Sequence, residues 1–178
     1  MTTYVAMLRG INVSGRNALS MEDLRAVVAA AGGRDVRTYI QSGNAVFSHR
    51  GAAPSVVEQL RQGLRRAVGT EIPVLLRTAR ELDDVIGANP FLRRGAEAGS
   101  LHVTFMGAVA DPASVEVAGR RKADGDEFEV IGREVYLLCP NGYGRTKLTN
   151  AFFEKRLGSE ATTRNWKTVT TLVDMARG

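Results

Sequence analysis

The sequence predicts an α+β protein of the α/β sandwich type, built from two ferredoxin-like β-α-β-β-α halves packed together, with an extra carboxyl-terminal helix. Two observations indicate this fold. Short apolar runs of strand length alternate with segments of helical periodicity, and the order of elements in residues 1–78 begins again in residues 79–178. In such split β-α-β units, one antiparallel sheet carries both helices on a single face. No long flexible linker separates the halves, so we expect one compact unit.

The first half contains four predicted strands and two predicted helices in the order β-α-β-β-α-β. The strands are predicted where short apolar runs end at turn residues, over 4–8, 36–40, 45–47 and 72–76. The first helix begins at the N-cap Ser20, with Asp23 three residues further on. The second helix covers 56–68, where apolar residues recur on one helical face.

The second half repeats this order up to its last strand. Strands are predicted over 101–106, 128–131 and 134–138. Helices are predicted after the capping box of Thr78 and Glu81, after Asp111-Pro112, and over 151–157 and 166–176. Residues 162–165 run directly into the last of these helices, so we expect no fourth strand in this half.

The charge balance is basic, with 24 Lys and Arg against 19 Asp and Glu and a net charge of +5. Such an excess favours acidic ligands, nucleic acid or anionic surfaces through long-range attraction. An arginine-rich composition is also common in proteins from GC-rich genomes, so the charge by itself identifies no partner.

The sequence also predicts where the chain resides. No segment approaches the ~20 apolar residues of a membrane-spanning helix, and the amino terminus lacks the pattern of a secretory signal. The single cysteine, Cys139, cannot form an internal disulfide, which fits a reducing compartment. We therefore expect a soluble, cytoplasmic protein with no membrane partner, and its oligomeric state stays open.

Three polar motifs lie next to predicted strands, over 9–17, 38–44 and 142–148, and Arg164 and Asn165 follow the last of them. Loops that combine glycines with hydrogen-bonding side chains are often shaped for a ligand. The candidate ligand-binding residues are Arg9, Asn12, Ser42, Asn44, Arg145, Thr146, Lys147, Arg164 and Asn165.

The glycine-rich loop over 142–147 is the strongest candidate, because it is predicted to lead into a helix whose amino-terminal N–H groups attract anions. Arg145 and Lys147 add two cations beside those donors. The spacing of a Walker A loop is missing, as is the G-x-G-x-x-G pattern of dinucleotide-binding folds. The loop favours a phosphate or a carboxylate, but a plain loop with Thr146 as helix N-cap explains the same residues.

Structural explanations stay open for the other motifs as well. Asn12 and Asn17 are typical of residues that close turns, and Ser42-Gly43-Asn44 fits a hairpin turn. Trp166 suits base stacking or an apolar helical face, and its position favours the helical face.

Catalysis has little support in the sequence. The polar motifs contain no carboxylate or histidine, so no general acid or base and no catalytic residue is identified. His49 and His102 lie next to or within predicted strands, which is typical of structural histidines. Cys139, before Pro140, is interpreted as a small buried hydrophobe. No Cys/His cluster has metal-ligand spacing, so we expect neither metal nor cofactor.

Together the motifs RGINVSGRN, TYIQSGN and GYGRTKL, with TRNW downstream, resemble the bacterial family catalogued as domain of unknown function 1697. The resemblance extends over nearly the whole chain. Family members often have glycine in place of Ser14, serine in place of Thr146 and asparagine in place of Lys167. The resemblance implies a two-part ferredoxin-like fold and no assigned activity, so it provides no catalytic residues.

The residues therefore favour a protein that binds an anionic, phosphate-bearing small ligand in one Arg/Lys/Asn-lined pocket shared by the motifs. One alternative is an RNA- or DNA-binding module, although the predicted third strand lacks the aromatic signature of RNA-recognition sheets. Another is an enzyme acting on a phosphorylated substrate, in which Arg and Lys stabilise charge. The sequence leaves open whether the protein is an enzyme.

Overall fold

A computed structural model describes residues 1–120 and 125–178. The strands are β1 (Thr2–Leu8), β2 (Arg34–Tyr39), β3 (Asn44–His49), β4 (Val74–Thr78), β5 (Leu101–Met106), β6 (Glu127–Ile131), β7 (Glu134–Leu138) and β8 (Ala161–Asn165). The helices are α1 (Met21–Ala30), α2 (Ala53–Val68), α3 (Ala79–Ala88), α4 (Pro90–Arg93), α5 (Pro112–Gly119), α6 (Asn150–Leu157) and α7 (Trp166–Arg177). Among these residues, no helix has the length and apolar character needed to cross a membrane.

Within the described residues, the strands form two four-stranded antiparallel sheets of order β2-β3-β1-β4 and β6-β7-β5-β8. The two sheets thus share one strand order, and α7 follows the last strand. This confirms the predicted α+β class with two ferredoxin-like halves and a carboxyl-terminal helix. The chain divides into unit 1, Met1–Asp83 with Leu172–Gly178, and unit 2, Asp84–Thr171. The predicted boundary after residue 78 and the predicted single compact unit stay predictions.

The core of unit 1 lies between its sheet and the helices α1 and α2. Alternate residues of β1 belong to this core, Tyr4, Ala6 and Leu8, because successive strand residues point to opposite faces of a sheet. Leu60 and Leu64, one helical turn apart on α2, pack in the same core. Both helices therefore cover one face of the sheet, as the split β-α-β order predicts.

Unit 2 has a fourth strand that the sequence did not indicate. Ala161–Asn165 forms β8 and pairs antiparallel with β5, so that Val103 lies opposite Arg164. The polar side chains of β8 find partners within the sheet, since Thr163 Oγ1 lies 2.7 Å from Thr104 Oγ1. The expectation that this half lacks a fourth strand is wrong, because pairing with β5 makes a strand of a polar segment.

Three predicted helix starts are confirmed. Ser20 Oγ accepts a hydrogen bond from the Asp23 N–H at 3.0 Å, and Asp111 is the N-cap of α5. The capping box before α3 is reciprocal. The Thr78 N–H donates to the Glu81 carboxylate at 2.7 Å, and the Glu81 N–H donates to the Thr78 hydroxyl at 3.2 Å.

Each unit buries an arginine at the same place in its sheet. Arg77 on β4 lies opposite Val5 of the central strand β1, and Arg164 on β8 lies opposite Val103 of the central strand β5. The side chains are 1% and 7% exposed. In both, a guanidinium N–H donates at 2.9 Å to the carbonyl of the preceding residue. A buried guanidinium needs hydrogen-bond acceptors for its N–H groups. In both units, the carbonyl of the preceding residue is one of these acceptors.

The turn between β2 and β3 requires glycine at position 43. Gly43 has φ +85°, in the left-handed region, and a Cβ there would lie 2.5 Å from Ile11 Cδ1 and 3.0 Å from Leu8 Cβ. The Gly43 carbonyl also accepts a hydrogen bond from the Leu8 N–H at 2.9 Å. The turn thus packs directly on the segment that leaves β1.

We expect Gly43→Ala to lower the free energy of unfolding by about 2–4 kcal/mol, because it adds a left-handed Cβ and a steric overlap in a packed site. Gly15→Ala is the matched control, since Gly15 has φ +74° but a Cβ added there would meet no atom within 4 Å. It should cost about 1 kcal/mol. Urea denaturation of both variants measures the difference, and equal losses would contradict the packing argument.

Candidate functional site

The predicted site residues fall into two groups that belong to different units. Arg9, Asn12, Ser42 and Asn44 lie in unit 1, and Arg145, Thr146, Lys147, Arg164 and Asn165 lie in unit 2. A hydrogen bond from Asn12 to Gln41 joins the two motifs of unit 1, and in unit 2 Tyr143 of the loop influences the charge of Arg164. The expectation that all of these residues line one shared pocket stays a prediction.

In unit 1, the side chain of Asn12 joins the two polar motifs. Its Nδ2 donates to the Gln41 carbonyl at 2.9 Å and to the Leu19 carbonyl at 2.8 Å. Its Oδ1 accepts from the Leu19 N–H at 2.9 Å. The side-chain amide of Asn12 therefore holds the segments at Leu19 and Gln41 together through hydrogen bonds to their backbone. Because both of its N–H groups are already used, the structural explanation of Asn12 fits better than ligand binding.

Asn44 has a similar role in the turn. It is fully buried, and its Nδ2 donates to the Tyr39 carbonyl at 3.0 Å and to Ser42 Oγ at 3.1 Å. Ser42 is exposed, and Arg9 is half-buried at the end of β1, where its backbone N–H donates to the Pro73 carbonyl at 3.0 Å. Of the four candidates in unit 1, Asn12 and Asn44 thus shape the loops, whereas Ser42 reaches solvent.

The backbone of these loops is unusual. Positive φ angles occur at Gly10, Asn12, Ser14, Gly15 and Asn17 in the first loop and at Ile40 in the turn. Asn17 supports its own conformation through Nδ2, which donates to the Gly10 carbonyl at 2.8 Å. The loop is therefore held in one shape by side-chain hydrogen bonds, as the residue types suggested.

In unit 2, the glycine-rich loop does not lead straight into a helix. Tyr143–Arg145 forms a 3₁₀ turn, and α6 starts at Asn150. The helix N-cap is Thr149, whose Oγ1 accepts from the Phe152 N–H at 3.2 Å. The expectation that Arg145 and Lys147 flank a helix amino terminus is wrong, as is Thr146 as helix N-cap. The cause is an intervening extended stretch, in which Thr146 Oγ1 instead accepts from the Leu148 N–H.

Tyr143 anchors this loop to the sheet of unit 2. Its ring stacks on His102 of β5 with 4.8 Å between centroids and 25° between planes. It also lies close enough to Arg164 to raise the pKa of that guanidinium. Neither contact was predicted. Tyr143 was visible in the motif, but the sequence carries no signal that pairs it with a residue on another strand.

From Arg145 onward, exposed and buried residues alternate along the loop. Arg145 and Lys147 are exposed, whereas Thr146 and Leu148 are buried. Arg145 ends the 3₁₀ turn, and Lys147 lies in the stretch that follows it. The buried positions thus fix the segment to the protein, while both cations stay exposed.

Arg164 lies deeper than the loop cations. Its guanidinium donates to Thr162 Oγ1 at 2.7 Å and to the Thr163 carbonyl at 2.9 Å. Burial is the main influence on its pKa and lowers it to about 10, while Tyr143 acts in the opposite direction. Arg164 therefore keeps its positive charge at neutral pH, so unit 2 combines a buried cation with two exposed ones.

The residues after Arg164 have structural roles. Asn165 Oδ1 accepts from the Thr168 N–H at 2.8 Å, which caps the start of α7. Trp166 is buried, so the predicted core position of this ring is confirmed. The cap occupies the side-chain oxygen of Asn165, which leaves its amide N–H groups as its donors toward a ligand.

The structure offers little for acid-base or metal chemistry. Burial raises the pKa of the Cys139 thiol to about 11 and lowers that of His102. Among residues 1–120 and 125–178, no group of three or more His, Cys, Asp or Glu side chains has the geometry to hold a metal ion. The charged side chains that the loop at 142–147 carries are the cations Arg145 and Lys147.

Comparison with known proteins supports the resemblance seen in the motifs. A family model described as "Protein of unknown function (DUF1697)" matches residues 1–136, so it includes the two motifs of unit 1 and ends before the loop at 142–147. Among solved structures, a conserved bacterial protein from Streptococcus pneumoniae, SP0830, is 20% identical with a TM-score of 0.81. The alignment covers 100% of this chain and 99% of that one, which shows a common fold. No curated protein matches the chain.

Cys139 should resist alkylation in the folded protein. Its thiol is buried, and its pKa is raised from 9.0 to about 11, so at pH 8 its reactive thiolate fraction is about a hundredfold smaller than that of a thiol with pKa 9.0. We expect iodoacetamide to label the native chain at least about a hundredfold more slowly than the chain in guanidinium chloride. Equal labelling rates would show a reactive cysteine.

His102 should contribute to acid sensitivity. Burial lowers its pKa from 6.5, so the unfolded chain takes up the proton first as the pH falls. Stability is therefore expected to decrease as pH falls below about 6.5, by at most ~1.4 kcal/mol per pH unit from this group. His102→Phe keeps an aromatic ring for Tyr143 but cannot titrate, so its unfolding free energy should fall less between pH 7 and pH 5.5. Parallel pH profiles would exclude this role.

Proposed function

Since this chain belongs to the DUF1697 family, whose description assigns no activity, we propose its function from its own site: the loop at 142–147 binds an anionic, phosphate-bearing small ligand. One observation carries the proposal. Arg145 and Lys147 are both exposed, and they flank Thr146, which is buried. Two exposed cations two residues apart on a fixed segment match the charge and the oxygen atoms of a phosphate group.

Because the loop is anchored, Arg145 and Lys147 can bind a ligand at a lower entropic cost. A loop that must be ordered on binding loses conformational entropy, which subtracts from affinity. Here the Tyr143–His102 stack, with its centroids 4.8 Å apart, and the buried Thr146 and Leu148 already order the backbone. A ligand would therefore immobilise only the outer parts of the Arg145 and Lys147 side chains.

The chemistry of the three cations favours phosphate. Arg145 presents a planar fork of N–H donors that suits two phosphate oxygens, while Lys147 adds a compact charge. Arg164, buried at the end of β8, adds a fixed positive potential that is weakly screened by water.

We also propose a cytoplasmic location, because a lone cysteine suits a reducing compartment.

The test is a thermal-shift series with the full chain, its Arg145→Ala, Lys147→Ala variant, and a matched Lys155→Ala, Arg156→Ala variant. The control removes the same charge from the last turn of α6, outside the loop. The probes are inorganic phosphate, mononucleotides, sugar phosphates and a short oligonucleotide. A ligand at about 100 times its dissociation constant adds about 2.7 kcal/mol of stability, which shifts the melting temperature by several degrees.

We expect one phosphate compound to stabilise the wild type and the control variant but not the loop variant. Stabilisation that survives the loop substitutions would place the anion elsewhere, and no response in any protein would contradict the proposal. Stabilisation by the oligonucleotide alone, with steep salt dependence, would favour nucleic-acid binding instead.

A further inference from the structure

Two exposed aliphatic side chains of unit 1 lie in two loops that are hydrogen-bonded to each other. Val13 is 58% exposed in the loop after β1, and Ile40 is 48% exposed in the β2–β3 turn. Their neighbours Asn12 and Gln41 are joined by the 2.9 Å hydrogen bond from the Asn12 amide. Val13 and Ile40, with the exposed Arg16 and Ser42, define what we term the Val13–Ile40 surface.

Ile40 is an unusual residue for its position. Its φ of +49° lies in the left-handed region, where a Cβ crowds the following carbonyl oxygen and a β-branched side chain is especially disfavoured. Glycine or asparagine would fit this conformation more easily. About half of the Ile40 side chain stays in water, so packing within unit 1 offsets the strain only partly. An apolar side chain of a partner would pack against the part of the Ile40 side chain that is exposed to water.

The stretch of chain that carries these side chains, residues 9–40, contains five arginines against three acidic residues. Arg16 is exposed, and within residues 1–120 and 125–178 it forms no ion pair. Arg25 donates to the Thr38 hydroxyl at 2.8 Å, and Arg37 donates to the Met175 carbonyl. Because a hydroxyl and a carbonyl carry no net charge, these contacts leave the guanidinium charges uncompensated. The acidic residues of this stretch, Glu22, Asp23 and Asp35, are also exposed.

The sequence shows the same bias on a larger scale. Residues 1–78 contain twice as many basic as acidic side chains, whereas residues 79–178 contain equal numbers. The net positive charge of the chain therefore comes entirely from the half that carries the Val13–Ile40 surface. A partner drawn to this half by long-range electrostatics would be negatively charged.

We propose that the Val13–Ile40 surface docks an acidic peptide segment of a partner protein, with aliphatic side chains of the segment packed on Val13 and Ile40. Acidic side chains complement the exposed Arg16 and the basic excess of residues 9–40, and they steer the encounter. The exposed apolar groups at the centre of the surface are aliphatic. Single-stranded nucleic acids rely on aromatic rings for stacking, so the surface suits a peptide better. This docking surface lies in unit 1 and is independent of the phosphate site proposed in unit 2.

The experiment selects short random peptides displayed on phage against the full chain and measures the selected peptides by fluorescence anisotropy. Three variants probe the surface: Ile40→Asn, Val13→Ser and Arg16→Glu. Val109→Ser is the control, because Val109 is an exposed valine of unit 2, 69% accessible. A single-stranded oligothymidylate is the competing nucleic-acid probe.

We expect selected peptides to be rich in Asp and Glu with interspersed Leu, Ile or Val. Their affinity should fall about tenfold or more in Ile40→Asn and Arg16→Glu, and clearly in Val13→Ser, but not in Val109→Ser. The melting temperature of Ile40→Asn should be equal to or above that of the wild type, because asparagine adopts the left-handed conformation readily. Lost binding with retained stability separates docking from misfolding.

Several results would overturn the proposal. The library could yield no binding peptide, or its peptides could lack acidic residues. Equal binding by Ile40→Asn and the wild type would exclude the surface. Oligothymidylate binding that matches the peptides and depends on Ile40 and Arg16 would identify the surface as a nucleic-acid site instead.

Discussion

The rest of the structure depends on the antiparallel pairing of each central strand with two neighbours. β1 is hydrogen-bonded to both β3 and β4, and β5 to both β7 and β8. A strand that is paired at both edges and covered by helices can carry few polar side chains, because buried polar groups need partners. The central strands β1 and β5 are therefore mainly apolar, and both candidate surfaces lie in loops that follow strands.

The two units secure their loops at these ends by different means. In unit 1, the Asn12 amide makes three hydrogen bonds to the backbone at Leu19 and Gln41, which fasten the first loop to the next turn. In unit 2, an aromatic stack of Tyr143 on His102 and the buried Leu148 serve the same purpose. A loop fixed in advance presents its exposed side chains at a lower entropic cost of binding. Both loops have this property, although they share no sequence.

The repeated buried arginine shows how the common fold treats charge. Arg77 and Arg164 have the same register relative to their central strands, and both donate to the carbonyl of the preceding residue. Arg164 also donates to Thr162, a polar residue of the strand that the sequence did not identify. A buried guanidinium needs several acceptors, and a polar strand supplies one of them here. The polar character of β8 is thus linked to the charge it carries.

The sequence by itself determined the class of fold, most of the elements and the residues of the loops, because these follow from local periodicity, capping residues and turn formers. The reciprocal cap of Thr78 and Glu81 and the buried position of Trp166 are examples. Only the tertiary structure decided the role of each polar residue. Asn12 and Asn44 bond to the backbone of neighbouring segments, β8 formed where no apolar alternation exists, and an extended stretch separates the loop at 142–147 from α6. The physical reason is that the bond of Asn12 to Gln41, the pairing of β8 with β5 and the stack of Tyr143 on His102 join residues that are far apart in the chain, and local patterns contain no record of such partners.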